Sequence, residues 1–185
     1  MQADLNSLKR RPFLTPLLMP LAMLAMAVAM ALWLFDARTS TVIIAVRHAE
    51  LAQAASANAD LSSAGQARAQ ALLAQLTKAK PERGVDAIYV SEGAASRQTV
   101  APLAQSMGLA VNIVAAGDWA ALPRKIGSNH SGETVLVVAD AAGLSAFLDY
   151  YVDSGRYPIE ATDFSSLFVI AKSGLSKPAV IRLRY

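Results

Sequence analysis

The sequence predicts an α/β fold: a three-layer sandwich around a mostly parallel sheet, preceded by one N-terminal transmembrane helix. Three observations predict it. Short apolar, β-branched runs such as Val42–Val46 and Val135–Val138 alternate with stretches of helical spacing, the pattern of strands buried on both faces. Two further apolar runs close the chain with only a turn-rich segment between them. Before all of these, 23 consecutive residues from Phe13 to Phe35 carry no charge.

That uncharged stretch is long enough, as a helix, to cross roughly 30 Å of hydrocarbon. Residues 1–12 are polar and basic, with Lys9, Arg10 and Arg11 adjacent. Trp33 and Phe35 stand near the far end, where a Trp suits a membrane interface. Pro16 and Pro20 imply a late start or a kink. The basic cluster precedes the span, so the positive-inside rule puts residues 1–12 in the cytoplasm and residues 36–185 outside it. In a bacterium this is a single-pass inner-membrane protein with its C-terminal domain in the periplasm. A cleaved signal peptide is the competing reading. Its apolar core is usually shorter and ends in small residues, whereas Leu32, Trp33, Leu34 and Phe35 crowd this end, and a retained anchor is favoured. Ala25 with Ala29, and Ala27 with Ala31, have the spacing that lets helices approach closely, which suits other membrane-protein subunits as partners. Alanine is also common throughout the chain.

Residues 36–40 form a short linker, and a domain spans 41–185. Its first strand, Thr41–Val46, ends in Arg47, His48, Ala49 and Glu50. An alanine-rich loop follows, then a helix capped by Ser62 or Ser63 and running to about Lys78, short of Pro81. Asp86–Val90 is the second strand and Ser91 ends it. The next helix runs through Met107, with Gly108 as its C-terminal cap, and Val111–Val114 is a short strand. Ala115–Gly132 reads as a polar connection holding Trp119, Arg124, Lys125 and His130, the histidine being a solvated loop residue. Thr134–Val138 is the cleanest buried strand and ends in Ala139-Asp140. Gly143–Tyr151 is a helix with Leu144, Phe147, Leu148 and Tyr151 on its apolar side. Phe164–Ile170 and Ala179–Leu183 are the closing strands.

Composition removes several function classes. The net charge is +3 and scattered, so no nucleic-acid footprint is expected. There is no cysteine, which excludes disulfides, thiolate metal sites and cysteine nucleophiles. With two histidines, His48 and His130, a multi-histidine metal centre is not expected, nor is a cofactor.

At the strand end Arg47-His48 admits two readings. It is a cation and an imidazole placed to grip and attack a phosphate, or a salt-bridging arginine beside a satisfied core histidine. Here the sequence resembles a known family. VRHAE is similar to the Arg-His-Gly motif of the histidine phosphatase superfamily, the phosphoglycerate-mutase-like fold, with Ala49 in place of the glycine. Leu61-Ser62-x-x-Gly65-x-x-Arg68-Ala69 and the series Ser91, Gln98-Thr99, helix, Gly108 fall in the family's order. The resemblance therefore covers about 41–185.

The resemblance implies that His48 is the nucleophile and becomes phosphohistidine, with Arg47 binding the phosphate. It also implies a second arginine four residues after Ser91, where Ala95 stands. Arg97 lies two residues further on, about 200° around a helix, and only a loop conformation would turn it inward. The family's second histidine falls at Asp140. The pocket thus keeps its first half and lacks its second. Asp140 has three open readings: a general acid, the partner of Arg47 and His48 in an ion-paired core (ranked first), or a group that favours a cationic or neutral ligand. The expected function is a membrane-anchored, catalytically degenerate pseudoenzyme acting as a binding or accessory subunit. The alternative is an active phosphohydrolase on a periplasmic phosphomonoester, a phosphorylated small molecule, with substitutes drawn from Arg97, Arg124, Lys125 or His130.

Overall fold

In the computed structural model the described residues are 15–52, 59–79, 84–160, 162–173 and 177–185. The chain divides into two compact units, Met1–Arg38 and Thr39–Tyr185.

The first unit contains helix α1 (Thr15–Thr39) up to Arg38, with Pro20 in its early turns. From Leu18 to Leu34 every residue is exposed, including Met19, Met23, Met26, Met30 and Trp33. The helix has no polar side along this length. Among the described residues no helix is long and apolar enough to cross a membrane. The stretch whose side chains are described, Leu18–Leu34, is 17 residues. The expected span begins at Phe13, and Phe13 and Leu14 lie outside the described residues, as do residues 1–12.

The second unit is the α/β domain. Its elements are β1 (Thr41–Arg47), α2 (Ser63–Ala79), β2 (Ala87–Ser91), α3 (Ala94–Met107), β3 (Val111–Val114), α4 (Leu122–Asn129), β4 (Thr134–Ala139), α5 (Ala141–Leu148), β5 (Ser166–Lys172) and β6 (Ala179–Arg184). The strands form one sheet in the order β3-β2-β4-β1-β5-β6. The pairs β2/β3, β2/β4 and β1/β4 are parallel, and β1/β5 and β5/β6 are antiparallel. The sheet is therefore mixed, because the chain reverses into β5.

Alternation along the strands builds two cores. Val135 and Val137 face one layer with Ile43, Ala45 and Phe168, where α4 and α5 contribute Leu122, Ile126, Leu144 and Phe147. Leu136 and Val138 face the other with Val46, Ile88 and Val90, where α2 and α3 contribute Leu72, Val100 and Leu103. This is the expected three-layer arrangement. Gly108 ends α3 at φ 64°, a left-handed cap that a side chain would strain.

Two elements differ from the sequence reading. Helix α4 lies inside the segment read as a polar connection. Its buried side is only Leu122, Pro123 and Ile126, too few apolar positions to reveal a helix. Helix α5 starts at Ala141, before Gly143, because Asp140 caps it: its Oδ1 accepts from Gly143 N at 2.7 Å.

Candidate functional site

The site lies at the carboxyl ends of β1, β2 and β4, where strand order doubles back and open α/β sheets bind ligands. Register fixes its members. Arg47 is opposite Ala139, and His48 N donates to Ala139 O at 2.9 Å, so His48 and Asp140 leave the sheet side by side. Ser91 leaves β2 at the same end, since Val90 pairs with Val138. A cavity of about 300 Å³ opens there. His48, Ser91 and Asp140 line it, as do Glu92, Ala95 and Trp119.

His48 is 8 % exposed. Its Nδ1 lies 2.8 Å from Ala49 O. A carbonyl can only accept, so Nδ1 carries the proton and the neutral ring presents Nε2 as a lone pair. Nε2 has no hydrogen-bond partner among the described residues. Burial pushes the His48 pKa down and the nearby Arg47 adds to this, against the carbonyl of Ala49 and the field of Asp140. The ring is therefore held neutral, which is the nucleophilic form.

Backbone supports come from signatures in the sequence. Ala49 N donates to Thr99 Oγ1 at 2.9 Å, and Thr99 Oγ1 donates to Ala95 O at 2.7 Å. One hydroxyl thus ties the residue behind His48 to the first turn of α3. Gln98 holds the other side of the loop, accepting from Leu61 N and donating to Asp60 Oδ1. Ser62 caps α2 by accepting from Gly65 N at 3.0 Å. Arg68 pairs with Glu50 and donates to Tyr185 O. Its hydrogen bonds hold the Glu50 carboxyl below the usual range. Gly65, Arg68, Gln98 and Thr99 are the scaffold of the site, a role their spacing alone did not disclose.

The charged residues fall elsewhere than the sequence suggested. Arg47 is not part of the cavity wall. Its guanidinium lies 4.3 Å over the Phe164 ring, and Nη1 donates to Glu160 O at 2.9 Å. Burial lowers its pKa, while Asp140 and Asp163 raise it. The ion-paired core ranked first for Asp140 is not formed. Asp140 influences Arg47 only through space, and among the described residues the ion pairs are Arg68–Glu50, His130–Glu133 and Arg182–Asp163. A carboxylate leaving β4 straight into a helix start finds Gly143 N first.

Arg97 is exposed on α3 and donates to Glu92 O at 2.9 Å, so it stands outside the cavity. Ala95 is buried at the wall with no polar reach. Arg124 lies 6.0 Å over Tyr150 and Lys125 lies 5.7 Å over Tyr89. His130 is at the opposite end of the sheet, where its carbonyl accepts from Thr41. It is not the solvated loop residue expected. Its Nε2 meets Tyr89 OH at 2.8 Å and its Nδ1 meets Glu133. None of these groups lines the cavity.

Sequence reasoning assigned no role at the site to Trp119, Glu92 or Ser96. Ser96 Oγ shares a 2.6 Å hydrogen bond with Ser91 Oγ, both buried. Trp119 is 3 % exposed and packs against Gly143, where an added Cβ would lie 2.8 Å from the indole. Only its being the sole Trp of 41–185 hinted at a role. Among the described residues no cluster of His, Asp or Glu is arranged to hold a metal ion.

A mixed α/β sheet with a buried, backbone-oriented histidine at the end of its first strand defines a histidine-centred phosphatase-like domain. Residues 43–116 match the histidine phosphatase superfamily (branch 1). That match spans less than half of the chain, and over it the sequence is similar to the superfamily. Solved structures share the fold. The protein histidine phosphatase SixA, complexed with tungstate, superposes with a TM-score of 0.61 at 15% identity over 77% of this chain and 96% of its own. A mycobacterial glucosyl-3-phosphoglycerate phosphatase complexed with inorganic phosphate gives 0.60 at 13% identity over 78% and 96%. The phosphoserine phosphatase of Entamoeba histolytica gives 0.59 at 13% over 78% and 97%. No curated protein matches by sequence.

Proposed function

We propose that this is a membrane-anchored, extracytoplasmic histidine-phosphatase-fold protein that has lost most phosphoryl transfer and serves as a binding or accessory subunit of a membrane complex. The observation that carries this reading is the cavity wall. Among the described residues it holds His48, Asp140 and Glu92 but no arginine or lysine. Phosphoryl transfer needs cationic or N–H donors on the oxygens as charge redistributes. Removing one such donor typically costs about 10²–10³ in rate. A carboxylate about 4 Å from a phosphate oxygen adds roughly 1 kcal/mol of repulsion in water and several times that in a drier cleft. Two missing donors and two carboxylates together leave little turnover.

Anchoring is supported by the 23 uncharged residues Phe13–Phe35 and by an exposed side-chain surface from Leu18 to Leu34 that is apolar on every side. A helix apolar all round belongs in lipid or in a protein interior. The basic residues Lys9, Arg10 and Arg11 before it favour a periplasmic domain.

The second reading is an active phosphohydrolase, favoured by the His48 geometry. Nε2 would attack phosphorus and break the ester P–O bond. The leaving oxygen would take a proton, and water would then release phosphate from the phosphohistidine.

The test is phosphate release from phenyl phosphate by the full chain in detergent, beside His48→Ala. The expected result is no release above the variant. Release that vanishes with His48 would establish the second reading instead.

A further inference from the structure

The histidine and the two carboxylates of the cavity wall are acceptors, set beside the hydroxyls of Ser91 and Ser96. Nε2 of His48, a side chain more than nine-tenths buried, is a lone pair with no partner among the described residues. Its proton is fixed on the far side by Ala49 O. Asp140 and Glu92 add carboxylates, which only accept. Trp119 supplies an aromatic wall, and such a wall favours a cation. Two positive features act against these groups. The N-terminal turn of α3, entered through Gly93 with no side-chain cap, is equivalent to about half a charge. Arg47 lies nearby but is held by Phe164 and Glu160. The carboxylates of Asp140 and Glu92, both at exposed positions on the rim, carry two negative charges against the one of Arg47 and the half charge of the helix.

Resting on the proposed loss of phosphoryl transfer, we infer that this cavity is a binding site for a small cation bearing N–H donors, a primary ammonium group on an apolar body. The ammonium sits between Asp140 and Glu92 and donates to His48 Nε2. The body lies against Trp119 and Ala95. A volume of about 300 Å³ suits a ligand the size of benzylamine. A phosphate monoester of the same size would place its dianion against the carboxylates.

Three probes of similar size and different charge test this: benzylammonium, benzyl alcohol and phenyl phosphate. The full chain in detergent carries Trp33→Phe, so that Trp119 is the only tryptophan and reports on the cavity. Benzylammonium is expected to change Trp119 emission saturably, and benzyl alcohol and phenyl phosphate to act at least about tenfold more weakly. Asp140→Asn keeps the cap on α5, since Asn caps as well as Asp, and is expected to weaken benzylammonium binding about tenfold. Glu92→Gln, at an exposed position, is expected to weaken it less. Tighter binding of phenyl phosphate than of benzylammonium overturns the inference, as does benzylammonium binding unchanged in Asp140→Asn or no saturable response. The same phenyl phosphate sample, assayed for release, separates the two failures. Hydrolysis that depends on His48 sinks the proposed function. No hydrolysis and no amine binding sinks only the cation site.

Discussion

Replacing Thr99 with Val keeps the shape of a buried side chain and deletes one hydroxyl. That hydroxyl accepts from Ala49 N and donates to Ala95 O, and Thr99 is 1 % exposed. Ala95 O, in the first turn of a helix, keeps its helical partner. Ala49 N does not, because Ala49 is fully buried and lies in neither strand nor helix. A buried N–H left without a partner costs about 1–3 kcal/mol. For a domain of this size each kcal/mol lowers the melting temperature by about 2–4 °C, so Thr99→Val should lower it by about 2–12 °C. Near-UV circular dichroism of the full chain in detergent follows the transition. Thr99→Ser, which keeps the hydroxyl, should lose less than half as much. If Thr99→Val melts within about 1 °C of the parent while Thr99→Ser does not, the hydrogen bond is not what holds Ala49, and the argument fails.

Two other measurements bear on the remaining structure. Asp163 sits before β5, where burial opposes its charge but hydrogen bonds from Ser166, Ser165 and Arg182 outweigh it and hold its pKa at about 2, against an ordinary 3.8. A lowered folded-state pKa stabilises above the ordinary value and is lost as pH falls. Roughly 2 kcal/mol present at neutral pH should therefore decline from about pH 4 through about pH 2, and Asp163→Asn should remove that part of the acid transition in an unfolding titration. Because the chain has no cysteine, single substitutions report topology: a membrane-impermeant maleimide applied to spheroplasts should label Ala110→Cys and spare Asn6→Cys. Labelling of Asn6→Cys alone would reverse the proposed orientation.

The strands were legible because strands buried on both faces must be apolar at successive positions, as Val42–Val46 and Val135–Val138 are. Position in the sheet then carried most of the site. Once Arg47 and Ala139 end neighbouring strands, His48 and Asp140 must emerge together. Arg97 could be placed from helical rotation alone, and it does point away. What could not be read was contact across long separations. Arg47 is drawn to Glu160 and Phe164, more than a hundred residues later, and no local pattern announces a ring waiting for a guanidinium. His130 was misplaced for the same reason, since it ends α4 while its partner Tyr89 lies on β2. Helix α4 escaped because an eight-residue helix covers its part of the sheet face with few apolar residues.

Asp140 also bears on how this domain could change over generations. One carboxylate both caps α5 and faces the cavity. An imidazole at that position would present a donor to the cavity but would leave Gly143 N uncapped, at a cost of about 1 kcal/mol. Indole and helix start meet at the same point, since Gly143 has no room for a side chain beside Trp119. A change that replaces Asp140 by histidine therefore runs through a less stable helix start. Folding itself acts as a ratchet on the chemistry at the end of β4.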